Sequence, residues 1–193
     1  MLGLSLRTDE RWAKLAQKNL EELLTDHAYC EQKAASNAIS LIVQFPEHSG
    51  MVQELTEIAR EELEHFGRVH QLIIERGFTF GKERKDNYVN DILAFVRKGM
   101  GREVYLADRL LFAAMIEARS CERFKLLSET IGDENLRAFY HELMASEAGH
   151  YTTFIKLAKT YTTGIDIDAR WKEFLAYENE VIQRYGQSET IHG

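Results

Sequence analysis

The sequence predicts an all-α protein, and three observations carry that expectation. The 193 residues include one proline and 12 glycines, while Glu, Ala, Leu, Lys and Arg recur throughout; such side chains lose little freedom on entering a helix. Apolar residues return every three to four positions over long stretches, the period of a half-buried helix. No apolar–polar alternation of period two persists anywhere. A hydrophobic share of 45% is enough for the core of one domain spanning 1–193.

Breaks in the pattern separate the elements. A first helix is expected from Asp9 to Phe45, bent near Thr25–Asp26 and stopped by Pro46. A second runs from Ser49 to Arg76, with Gly77 as the residue that ends it. Leu55, Ile58, Leu63, Phe66, Val69, Leu72 and Ile73 make its expected buried stripe. Residues 77–101 form a basic, polar connection holding one short amphipathic piece, Val89 to Val96. A third long helix spans Arg102 to Ile131, Gly132 and Asp133 break it, and a fourth continues to Tyr161. After the turn at Thr162, Thr163 and Gly164, a short last helix covers Asp168 to Tyr185, and the polar tail after Gly186 frays.

Charge and composition exclude several function classes. A net charge of −7 argues against indiscriminate nucleic-acid binding. No apolar run approaches the roughly 18 to 20 residues that span a bilayer, and residues 1–7 lack the pattern of a signal peptide. The expected compartment is the cytoplasm. Cys30 and Cys121 form no CxxC pair and read as small reduced hydrophobes. Basic residues gather as Lys82, Arg84 and Lys85, as Arg97, Lys98 and Arg102, and as Lys156, Lys159, Arg170 and Lys172. In an acidic chain these read first as solvated surface, and second as a rim that touches phosphate.

The chemistry lies in two E-x-x-H motifs, Glu62-Leu63-Glu64-His65 and Glu147-Ala148-Gly149-His150. On a helix, positions i and i+3 share a face, so a carboxylate and an imidazole can reach one ion. The motif alone is weak. A third match, Glu189 with His192, lies in the tail and reads as coincidence. Spacing separates the other two from chance. Glu31 precedes Glu62 by 31 residues and Glu117 precedes Glu147 by 30, with midpoints on Pro46–Glu47 and on Gly132, the two helix breaks. In each antiparallel pair the carboxylates therefore come level, roughly 23 Å from the turn at 1.5 Å per residue.

Glu31 lies among Ala28, Ala34, Ala35, Ala38 and Ile39, and Glu117 among Ala113, Ala114, Ile116 and Ala118. A carboxylate on such a face is costly unless it is paired or binds a cation. The expected ligand set is thus Glu31, Glu62, His65, Glu117, Glu147 and His150, a glutamate from each of two helices and an E-x-x-H from each of the other two. Carboxylates and imidazoles without thiolate suit two iron ions, or manganese, better than structural zinc. The long connection 77–101 permits a four-helix bundle of the ferritin-like kind, with one crossover between its second and third helices and with the N-terminal segment and last helix packed outside. Tyr29, Tyr105, Tyr140 and Tyr151 read first as core or rim packing and second as carriers of electrons or protons, and His70 and His141 as structural or surface residues.

Three stretches carry a resemblance: His27-Ala28-Tyr29-Cys30-Glu31-Gln32-Lys33-Ala34-Ala35, Glu61-Glu62-Leu63-Glu64-His65-Phe66 and Ser146-Glu147-Ala148-Gly149-His150-Tyr151. Through them, and over almost the whole chain, the sequence resembles the tRNA 2-methylthio-isopentenyladenosine hydroxylases, bacterial non-haem di-iron monooxygenases. All six ligand positions of that family are present with the right residue type. The resemblance implies a reaction of dioxygen (O2) at a di-iron centre that hydroxylates the isopentenyl group of 2-methylthio-N6-isopentenyladenosine, next to the anticodon of a tRNA substrate. Ile116, Phe66 and Met115 are the expected wall around that prenyl chain. The sequence carries no flavin motif or Rossmann glycine pattern, so an external electron donor, a separate electron-transfer partner, is implied. The competing reading is a ferritin- or rubrerythrin-like protein that oxidises iron or removes peroxide, although the CxxC module usual in rubrerythrins is absent. A manganese catalase would use peroxide and need no reductant.

Overall fold

The computed structural model describes residues 2–185 and 191, and among these the chain forms helices and no strand. In order they are α1 (Glu10–Ala16), α2 (Leu20–Gln44), α3 (Ser49–Glu75), α4 (Asn87–Ala94), α5 (Arg102–Thr130), α6 (Glu134–Tyr161) and α7 (Ile167–Ile182). The expected frayed tail and the third motif, Glu189 with His192, lie outside the described residues. The described residues divide into two compact units, one of residues 15–85 and 191, the other of residues 2–14 and 86–185.

In the first unit α2 packs along α3. Pro46 lies just after the end of α2, as its missing N–H requires. Gly77 ends α3 with φ +69°, a conformation that costs glycine nothing. Its N–H bonds to the carbonyl of Ile74 and that of Phe78 to Ile73, which closes the last turn as a Schellman motif. No helix break falls at Thr25–Asp26, the place of the expected bend. The first helix breaks earlier, at 17–19, where Asn19 caps α2 by accepting the N–H of Glu22. α2 continues unbroken through Thr25 and Asp26, and the Asp26 carboxylate accepts the N–H of Ile191. The α3 stripe also differs. Leu55, Ile58, Val69 and Ile73 are buried as expected, but Leu63 is 50% exposed, and Phe66 and Leu72 are half-buried. Glu62 and His65 occupy the inner face, so Leu63, one step of about 100° from Glu62, turns outward.

In the second unit α5 packs along α6, and α4 and α7 lie against that pair. Asp133 caps α6 by accepting the N–H groups of Asn135 and Leu136. Two buried ionic groups fasten the outer segments. The fully buried Arg119 of α5 donates to Glu178 of α7 at 2.6 and 3.1 Å, to Glu122 at 3.1 Å and to the Leu6 carbonyl at 3.2 Å. Glu122 in turn accepts the backbone N–H of Thr8. Asp108 of α5 accepts from Arg170 of α7 and from Arg97. Burial raises the Asp108 carboxyl, but the hydrogen bonds from Arg170 and Arg97 outweigh it and hold the group below its usual range.

These bonds correct part of the basic surface expected from sequence. Arg170 is 6% exposed and clamped between Asp108 and Glu173. Arg97 is paired with Asp108, Arg84 with Glu22 and Lys159 with Asp168. Of these four cations only Arg170 is buried, while Arg84, Arg97 and Lys159 meet their carboxylates nearer the surface.

Candidate metal centre

Each unit assembles a triad of two carboxylates and one imidazole. In the first, Glu31 of α2 meets Glu62 and His65 of α3, with one ligand atom from each lying within 4.8 Å of the others. His65 Nδ1 is 3.6 Å from Glu31 Oε2 and 3.7 Å from Glu62 Oε2. Two donors each about 2.1 Å from one ion stand roughly 3.0–3.5 Å apart, so small movements suffice for all three to grip a cation. In the second unit Glu117 of α5 meets Glu147 and His150 of α6 under the same 4.8 Å limit. His150 Nδ1 is 3.7 Å from Glu147 Oε2, the same pairing as in the first triad.

All six expected ligands are buried, none more than 6% exposed, and Glu62 is fully enclosed. Burying that many carboxylates is expensive without compensating positive charge. The donor set is oxygen and nitrogen only. Cys121, one turn beyond Glu117, donates its Sγ to the Met144 carbonyl at 3.3 Å. Burial, then the Glu147 carboxylate, pushes its thiol up to about 11, which keeps it protonated. Cys30 is half-buried and lies 3.9 Å from the Asp26 carboxylate. Such a set fits hard or borderline divalent ions such as iron or manganese.

One residue escaped sequence reasoning. His27 is fully buried, and its Nε2 is 2.6 Å from Glu31 Oε1. That contact leaves Oε2 as the carboxylate oxygen on the His65 side. Its i, i+4 spacing from Glu31 was the available signal, because such pairs share a helix face.

The remaining candidates sort themselves by burial. His141 is exposed and His70 half-buried, as expected. Tyr140 is enclosed against Phe124 and Phe139, and Tyr151 leans on Trp171. Tyr105 lies under the Arg109 guanidinium. Among the residues expected to wall the prenyl chain, Met115 is buried but lies two positions from Glu117, on the opposite side of α5. Ile116 is half-buried, and Phe66 belongs to a half-buried aromatic group.

Comparison with known proteins places the chain by family and fold. The family model described as tRNA-(MS[2]IO[6]A)-hydroxylase (MiaE) matches residues 3–193. The chain is 40% identical over 190 residues to the tRNA 2-(methylsulfanyl)-N(6)-isopentenyladenosine(37) hydroxylase of Pseudomonas putida, covering 98% of this chain and 91% of that protein. It is 29% identical over 224 residues to the Salmonella typhimurium protein of the same description, covering 91% of this chain and 82% of that one. A solved structure, Protein 43 with aldehyde deformylating oxygenase activity from Synechococcus, aligns with a TM-score of 0.91 at 33% identity, over 98% of this chain and 95% of that chain. The fold is accordingly all-α and ferritin-like, the class expected from the sequence.

Proposed function

Because the chain belongs to the tRNA-(MS[2]IO[6]A)-hydroxylase (MiaE) family, we propose that it hydroxylates the isopentenyl group of 2-methylthio-N6-isopentenyladenosine in tRNA at a di-iron centre. The observation that carries the site is the repetition: two triads, each Glu, Glu and His, at matching places in two helical hairpins. A single triad offers few donors for two ions, so this reading draws on the ligands of both triads. Glu31, Glu62, Glu117 and Glu147 would hold the irons by their carboxylates, and His65 and His150 by their imidazoles. Four carboxylates match the charge of two divalent cations. Bound iron supplies the redox chemistry that activates dioxygen.

The chain's own residues do the holding. His27 Nε2 keeps the Glu31 carboxylate turned toward His65, the kind of outer hydrogen bond that orients a ligand. The enclosed ligand faces keep bulk water away from a reaction that water would quench. Inserting one oxygen atom into an allylic C–H bond sends the other atom of dioxygen to water, which takes two electrons and two protons. An external electron donor supplies the electrons. An anticodon-loop base is unpaired and leaves its stack at less cost than a base in a duplex, so it can reach a buried centre. No helix among the described residues is long and apolar enough to cross a membrane, and a tRNA substrate points to the cytoplasm.

The test is incubation with hypomodified tRNA, a reductant and isotopically labelled dioxygen, followed by nucleoside mass analysis. The expected result is a gain of one oxygen atom on the prenylated nucleoside, labelled from dioxygen. Label arriving from water, or no gain at all, overturns the proposal. An aldehyde run in parallel tests a second reading, aldehyde deformylation, which similarity to the Synechococcus protein favours; turnover of aldehyde alone would select it.

A further inference from the structure

The segment after α3 carries aromatic and basic residues in close succession: Phe78, Phe80, Lys82, Arg84 and Lys85. It runs back along α2 within the first unit. Thr79 N–H donates to Glu21, Tyr29 Oη donates to the Gly81 carbonyl, and Lys33 pairs with Glu83 at 2.9 Å. The course of this strap brings four rings together. Tyr29 and Phe80 stack at 4.9 Å with 20° between their planes. His70 meets Phe80 edge-on at 5.3 Å, and Phe66 does so at 6.1 Å.

This cluster differs from core packing. Phe124, Phe154 and Phe174 are at most 1% exposed, whereas Tyr29, Phe66, His70 and Phe80 all keep part of their surface open. Lys82 and Lys85, two and five residues after Phe80 in the same strap, are exposed, in a chain whose net charge is −7. Arg84 and Lys33 are engaged by Glu22 and Glu83, which holds the strap in place. The cluster also sits at the height of the first triad, since Phe66 follows His65 directly and lies one turn beyond Glu62. Half-open rings flanked by cations are the chemistry that receives single-stranded nucleic acid: bases stack on the rings, and phosphates pair with the ammonium groups.

We infer that Tyr29, Phe66, His70 and Phe80, with Lys82 and Lys85, form a stacking platform for an unpaired base of the anticodon loop. The inference rests on the tRNA reading above and names where the RNA docks. Phe80, in contact with the other three rings, is the centre of the platform. Lys82 and Lys85 steer the adjoining backbone.

The experiment measures binding of an anticodon stem–loop RNA carrying 2-aminopurine at one loop position, using the full chain. With the wild type, quenching of the fluorescent base should accompany binding. The Lys82→Glu/Lys85→Glu variant should bind at least about tenfold more weakly at low salt, with a salt slope shallower by about 1.4, two single-strand phosphate contacts. Phe80→Leu, which keeps an apolar side chain in the strap, should lose the quench and at least about fivefold in affinity, the lower bound for one base–aromatic stack. Thermal midpoints close to wild type establish that both variants fold, and the surface lysine variant decides the matter if Phe80→Leu does not. Wild-type affinity, salt slope and quench in the variants would overturn the platform. Hydroxylation of tRNA by the same preparations would then stand. Quenched binding without hydroxylation would overturn the reaction and keep the platform.

Discussion

Glu178→Leu should cost about 3 kcal/mol of stability. The Glu178 carboxylate is fully buried, and its Oε1 accepts from Arg119 Nη2 at 2.6 Å, from Arg119 Nε at 3.1 Å and from Tyr88 Oη at 3.1 Å. Removing it leaves a guanidinium that is 0% exposed and cannot reach water. Stranding one member of a buried pair costs about 3–5 kcal/mol. Arg119 keeps Glu122 at 3.1 Å and the Leu6 carbonyl at 3.2 Å, which sets the expectation at the lower end. For a chain of this size that corresponds to a fall in Tm of roughly 6–12 °C. The assay is urea unfolding followed by far-UV circular dichroism, with the slope m compared between variants. Changing both partners, as Arg119→Met/Glu178→Leu, should restore stability to within about 1 kcal/mol of wild type, because no buried charge is then left alone. A loss below about 1 kcal/mol in Glu178→Leu, or a double variant no better than the single, would refute the argument that burial makes this pair obligatory.

Three further outcomes are expected. Loaded anaerobically with ferrous ion, the wild type should take up about two irons per chain, while Glu117→Ala and His150→Ala should lose at least one and keep their helix content; full metal content in either variant would remove it from the ligand set. His27→Leu should weaken ferrous binding by about 10- to 100-fold, the usual effect of losing a hydrogen bond behind a ligand, with His27→Gln recovering part of it; equal affinity in all three proteins would make His27 a packing residue only. The Asp108 carboxyl is held low, so its pairing stabilises the fold above the unfolded carboxyl range near pH about 3.9 and loses that contribution as pH falls below it. Asp108→Asn should be less stable at neutral pH and show a shallower acid limb below about pH 4; parallel pH–stability curves would deny Asp108 that role.

The sequence by itself determined what depends on neighbours along the chain. Pro46 ends a helix wherever it stands, and Gly77 can adopt φ +69° because it has no Cβ. The two E-x-x-H motifs put Glu62 with His65 and Glu147 with His150 because i and i+3 share a helix face. The spacing about Pro46 and Gly132 brought Glu31 and Glu117 level with them, since an antiparallel hairpin pairs residues equidistant from its turn. Tertiary structure decided what depends on partners far away in sequence. Whether Arg170 faces water or a carboxylate turns on Asp108, 62 residues earlier, and the role of Arg119 turns on Glu178, 59 residues later. Leu63 looked like core because it is apolar, yet the face it needed is taken by Glu62 and His65, whose burial a hydropathy pattern cannot express. The strap that gathers Tyr29, Phe66, His70 and Phe80 likewise follows from contacts between distant segments, whereas the break before α2 rests on the local Asn19 cap. Local sequence sets the turns and the faces; a buried charge is placed only where the folded chain supplies its counterpart.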